Sequence, residues 1–176
     1  KVVGEQATIM YEEAQQMIAE IIANQSLKPK AIFGLFEANT INDDDISVQK
    51  KGKEIAVFRT LRQQLKKREG IPNIALSDFI APKETNRTDY IGTFCVAIFG
   101  AQEAIADRFA EAFAEYLHKQ VRTKHWGYDS DEGLTNDDLI KESYKGIRPA
   151  PGYPACPDHL EKETIWDLLD VENKIG

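Results

Sequence analysis

The amino-acid sequence predicts an α+β fold built on a mainly antiparallel sheet, and three observations carry that expectation. Apolar residues recur at helical spacing near the N-terminus, and a dense β-branched and aromatic run lies near the middle. Helical and strand patterns then follow one another without the regular alternation of a doubly wound fold.

From Thr8 to Ala23 the residues Ile9, Met10, Ala14, Met17, Ile18, Ile21 and Ile22 repeat at three and four, the period of an amphipathic helix, and Asn24 to Pro29 ends it. Ala31–Phe36 and Glu54–Phe58 have strand length and composition, with a polar, acidic connection between them. A helix over Leu61–Glu69 and a strand over Ile74–Phe79 are expected next, followed by the strongest strand signal, Asp89–Phe99. The longest helix is expected over Gln102–Thr123, with Ile105, Phe109, Ala112, Phe113, Tyr116 and Leu117 facing inward. Thr135 heads a shorter helix whose first turn carries Asp137 and Asp138 near the positive end of the helix dipole.

With 176 residues, 42% of them hydrophobic, one core and one domain are expected. A net charge of −7 argues against a nucleic-acid or anionic-membrane surface; the dense basic run, Arg59, Arg62, Lys66, Lys67 and Arg68, reads as the solvated face of a helix. No apolar run approaches the roughly 18 residues of a membrane span. Two cysteines and no signal-type N-terminus fit a reducing, cytoplasmic setting. The chain begins at Lys1 and stops just after a helical pattern, which suggests a piece of something longer.

Four of the seven prolines fall within Arg148–Pro157, so this segment is expected to run as a stiff, extended loop. The backbone groups of Ala150, Gly152 and Tyr153 would then be free to meet a ligand, and Gly152 permits close approach or an unusual backbone angle. On residue types alone a binding loop and a rigid connector between helices are equally good readings. Cys156 and His159 lack the second pair that a metal site needs and the third group that a nucleophile–base pair needs, so no metal ligand and no catalytic residue is assigned. Cys95 reads as core. An EF-hand-like count from Asp43 to Glu54 fails, because Val48 takes the position where the turn requires Gly. Glu111 on the polar side of the long helix and Glu142 on the helix leading to Arg148 would be solvated if taken singly.

Taken together, the run Tyr144–His159 and Thr164–Leu169 resemble the S-adenosylmethionine-binding segment of the activation domain of cobalamin-dependent methionine synthases. Val2–Glu5, Gly34–Phe36 with Ala38–Asn39, Leu61–Gln64, Leu76–Phe79 with Ala81–Lys83, Asp89–Gly92, and Ala106–Arg108 through Tyr116–His118 extend the resemblance over essentially the whole chain. The resemblance implies a C-shaped domain around a twisted antiparallel sheet, attached to a domain that holds cobalamin. It implies no protein nucleophile: the domain binds and aims the methyl donor, S-adenosylmethionine, and flavodoxin or an equivalent donor supplies an electron. Zinc belongs to another domain of the full methyltransferase.

By the same resemblance Glu111 and Glu142 are acids near the ligand, Arg148 meets its carboxylate, and Ala150, Gly152 and Tyr153 contribute backbone and ring edge. Asp107 matches a position that touches the cobalamin domain. The family also has an upstream and a downstream ligand-contacting segment, and an acidic helical stretch between Phe99 and Ala104, that this sequence does not contain. An interaction-only module that docks the cobalamin domain and flavodoxin is the alternative.

Overall fold

The computed structural model describes residues 2–100 and 103–176. Residues 101–102, part of the Phe99–Ala104 junction at which this sequence lacks the family's acidic stretch, lie outside the described residues. Nine elements are discussed: α1 (Val2–Asn24), β1 (Lys28–Ile41), β2 (Asp45–Lys50), β3 (Lys53–Arg59), β4 (Asp89–Phe99), α2 (Glu103–Gln120), α3 (Asn136–Ile140), α4 (Glu161–Leu169) and α5 (Val171–Ile175). The sheet has the order β3-β2-β1-β4, with β1–β2 and β2–β3 antiparallel. The expected α+β class with a mainly antiparallel sheet is what forms.

Two compact units share the chain: one takes the N-terminal region to Lys30 and Val96–Ala114, the other takes Ala31–Cys95 and Glu115–Gly176. In the first, the helical period of α1 is real but its stripe is not covered: Met10 is 68% and Ile22 70% exposed. Gly100, at φ +91, lets the backbone pass against the Ser26 carbonyl, where a Cβ would collide.

The second unit holds the core. Ala38 pairs with Val48 and Thr40 with Ile46 across β1 and β2; Ile46 pairs with Phe58 and Val48 with Ala56 across β2 and β3. Ala38, Ile46, Val48, Phe58 and Ile91 are buried together, and Ile165 and Leu168 of α4 pack against them. Burying the Ile46, Val48, Phe58 and Ile91 side chains contributes about 1.5–3 kcal/mol each. Glu161 ties α4 to β3, its carboxylate accepting from the Arg59 amide at 2.5 Å.

β2 was read as an acidic connection. Its alternation is real, with Ile46 and Val48 buried, but Ser47 on the other face is buried too and donates to Glu54 at 2.6 Å, so the polar residue gives no outward signal. The Asn42–Asp44 stretch that invited a calcium reading is the β1–β2 turn, with Asn42 at φ +55.

Leu61–Glu69 is not a helix and Ile74–Phe79 is not a strand. Both belong to an irregular strap held by side chains. The Gln63 amide donates to the Ile74 carbonyl at 3.0 Å, and its side-chain oxygen accepts from the Ile74 amide at 3.3 Å. Arg62 forks onto Asp78 at 2.7 and 2.8 Å and pairs with Asp44 at 2.9 Å. Asp78 in turn accepts from the Ala75 amide at 2.9 Å and closes a 3-10 turn over Leu76–Phe79. The basic run is therefore no helix face: Arg62 and Lys67 bind the strap, Lys67 through the Pro72 carbonyl at 2.8 Å.

The inward face of α2 also differs from expectation. Ala114, Leu117 and His118 are buried, whereas Tyr116 is 59% exposed and Ala112 is exposed. Cys95, expected in the core, is half-buried.

Candidate functional site

The C-terminal turns of α2 present Glu115 and His118, and a π-turn over Val121–His125 continues the stripe to Arg122. The spacing of three and four puts these polar groups on one side. Arg122 is fully buried, which is tolerable only because every edge of its guanidinium is engaged. Glu132 takes it bidentately, Nε at 2.5 Å and Nη2 at 2.8 Å, and Nη1 lies 2.6 Å from His118 Nδ1. Its guanidinium carbon sits 4.3 Å from the Tyr144 ring centroid, and His118 meets the same ring edge-on at 4.8 Å.

Protonation states follow from this packing. Burial, then the charges of Arg122 and Arg148, push the His118 pKa down to about 3. The imidazole is neutral, and because arginine has only donors, Nδ1 accepts and the proton rides on Nε2. Burial works against the Arg122 charge, but the Glu132 hydrogen bond and charge reverse the sign and raise its pKa. Glu132 is held below the usual carboxylate range by the same bond.

Arg148 reaches this cluster through Glu115. Its Nη2 donates to Glu115 Oε2 at 3.0 Å, while Glu115 Oε1 lies 3.7 Å from Arg122 Nη1, an ion pair too long to be a hydrogen bond. Arg148 Nε and Glu115 Oε1 are both buried without a hydrogen-bond partner. The Arg148 side chain keeps 28% of its surface exposed, so the guanidinium has donors left over.

The proline-rich segment is more tightly wound than an extended loop. The Tyr153 amide donates to the Ala150 carbonyl at 3.1 Å, the Cys156 amide to the Tyr153 carbonyl at 2.9 Å, and the Gly152 amide to the Cys156 carbonyl at 2.8 Å. Two turns pinned by an isolated bridge result, and the Gly152 and Tyr153 amides are already spent. Gly152 does hold a positive φ of +99, and the close approach it permits is that of the His159 ring. The Tyr153 side chain is 64% exposed and remains open to a partner.

Glu142 is not on a helix. The Thr135–Asp138 capping box starts α3 as expected, with the Asp138 carboxylate accepting from the Thr135 amide at 2.9 Å, but α3 stops at Ile140. Glu142 sits beyond it at φ +54 in an exposed turn. Glu111 and Asp107 lie in the other unit, both exposed on α2, and Glu111 pairs with Arg108 at 3.1 Å.

Burial, then the charges of Glu161 and Asp158, push the Cys156 thiol up to about 11, so it is protonated and unreactive near neutral pH. Among the described residues no three His, Cys, Asp or Glu side chains gather as a metal-binding group. A depression lined by Thr40, Asp43, Arg62, Asp78 and Glu84 holds none of the predicted residues, and its guanidinium is already paired. Sequence reasoning missed Glu115, His118, Arg122 and Glu132. The regular spacing of the first three was visible, but polar residues on a helix read as solvated by default.

Fold and site define an α+β domain whose polar centre is a set of ion-paired arginines beside a tight proline-flanked turn. A family model described as "Vitamin B12 dependent methionine synthase, activation domain" matches residues 1–176, and the chain belongs to that family. A solved structure, described as the crystal structure of the MetH reactivation domain bound to AdoHcy, is 44% identical with a TM-score of 0.89. The match covers 99% of this chain and 60% of that one. Among the described residues no helix is long and apolar enough to cross a membrane.

Proposed function

We propose that this chain binds S-adenosylmethionine as the activation domain, or part of it, of a cobalamin-dependent methionine synthase. The observation that carries the reading is Arg148, a guanidinium anchored on one side and unspent on the other, in a chain 44% identical to a domain solved with AdoHcy. The ligand's α-carboxylate suits Arg148, since such pairs are charge-assisted and orienting. Its sulfonium and α-ammonium suit carboxylates, and Glu142, exposed in the same unit as Arg148, is the candidate there, while the exposed Tyr153 ring suits its adenosyl group. Ala150 and Gly152 shape the turn that presents that ring.

In this reading the chain lends binding and orientation, and the donor's methyl goes to cobalamin held by a neighbouring domain, with one electron from flavodoxin or an equivalent donor. Cob(II)alamin, one electron and S-adenosylmethionine would then give methylcobalamin and S-adenosylhomocysteine. Asp107 and the exposed face of α2 suit contact with the cobalamin-binding domain. Calorimetric titration of the protein with S-adenosylhomocysteine is expected to show saturable one-to-one binding, and no heat at millimolar ligand would overturn the reading. The exposed α1 stripe favours a second reading, an interaction-only module for the cobalamin domain and flavodoxin. That reading gains if those partners bind with an affinity S-adenosylhomocysteine leaves unchanged.

A further inference from the structure

We infer that Glu115 is a positioning residue for Arg148, and that it sets recognition of the ligand's carboxylate without touching the ligand. This rests on the reading of Arg148 above. Arg148 is a long side chain at the start of a turn-rich segment, and holding such a chain in one geometry costs rotamer entropy. Glu115 Oε2 accepts from Nη2 at 3.0 Å and so fixes one end of the fork before any ligand arrives. Glu115 is itself fixed, because its other oxygen faces Arg122 at 3.7 Å and Arg122 is immobilised by Glu132 and His118.

Two opposite effects of Glu115 must be weighed. As a negative charge it repels a ligand carboxylate, and as an anchor it keeps Arg148 in place. The anchor wins because of Arg122: that buried guanidinium cannot move away, and Glu115 is the charge standing between it and Arg148. Without Glu115 the two arginines face each other unscreened, and Arg148, the one with an exposed surface, is the one displaced. The Arg148 side chain keeps 28% of its surface exposed, and the guanidinium donors not bonded to Glu115 are what this anchoring leaves for a ligand oxygen.

Glu115→Gln, titrated with S-adenosylhomocysteine and with decarboxylated S-adenosylhomocysteine, tests the inference. Affinity for the first is expected to fall about tenfold, the size of one charge-assisted contact, while affinity for the second stays at the wild-type value. In an Arg148→Ala background Glu115→Gln should cause no further loss. Glu115→Asp, which keeps the charge, should restore discrimination between the two ligands and covers the case in which Glu115→Gln does not fold. Equal weakening for both ligands would show a merely structural role and overturn the inference, as would unchanged or tighter binding of S-adenosylhomocysteine. If the wild-type protein binds neither ligand, the functional reading falls and this inference with it; if Arg148→Ala loses binding and Glu115→Gln does not, this inference alone falls.

Discussion

Arg62 and Arg148 look alike in the sequence and differ in what they have left to offer. Arg62 forks onto Asp78, pairs with Asp44, and donates to the Asn73 carbonyl at 3.0 Å and the Asp43 carbonyl at 3.2 Å. Its fork is consumed by the chain, and the product is a shaped strap. Among the described residues Arg148 makes one hydrogen bond, to Glu115, and keeps a buried Nε without such a bond. Side-chain exposure does not separate them, at 30% and 28%. Unspent donors do, and the difference teaches that a guanidinium is read by its remaining valence rather than by its accessibility.

The contrast can be broken at its foundation. Glu132→Gln leaves Arg122 buried beside a neutral partner, and a stability loss of about 3–5 kcal/mol is expected in urea unfolding. A loss within about 0.5 kcal/mol would mean that Arg122 is not the fixed anchor on which Arg148 depends. Arg62→Ala is expected to cost less, about 1–3 kcal/mol, because it removes part-exposed contacts and leaves Asp78 able to keep its bond to the Ala75 amide.

A smaller effect sharpens the account of the cluster. The His118 pKa is depressed in the folded state to about 3, so the unfolded chain binds the proton first as pH falls from 6.5. Stability contributed by the neutral ring is present above about pH 6.5 and is lost progressively toward pH 3. The Glu132 pKa is also lowered, so its stabilising contribution is likewise lost on acidification, as pH falls through the usual carboxylate range and below it. Melting temperatures are therefore expected to drop between pH 7 and 5, and His118→Gln should flatten that segment while leaving the drop at lower pH. An unchanged slope would mean that His118 titrates near its ordinary value.

How much of this was legible in the sequence follows from which forces decide each element. α1 and β4 are set by local periodicity and β-branched composition, and the start of α3 by Thr135 and Asp138 three apart, so each is readable without its neighbours. The strap is not: Leu61–Arg68 has helical composition, but contacts of Arg62 and Gln63 with residues ten or more positions away override it. β2 was hidden because both of its faces are covered. In the site, the prolines marked Arg148–Pro157 as a loop, and Gly152 has the positive φ and close approach it was expected to allow. Glu115, Arg122 and Glu132 were out of reach because a buried ion pair and a solvated one are spelled with the same residues, and only packing tells them apart.

The most direct test sets the two arginines side by side. S-adenosylhomocysteine titrated calorimetrically into Arg148→Ala and Arg62→Ala, both well below their melting temperatures, is expected to bind Arg148→Ala more weakly by about 1.5–3 kcal/mol and Arg62→Ala with the wild-type Kd. Equal losses in the two variants, or an undiminished affinity in Arg148→Ala, would contradict the claim that the unspent guanidinium is the ligand's anchor.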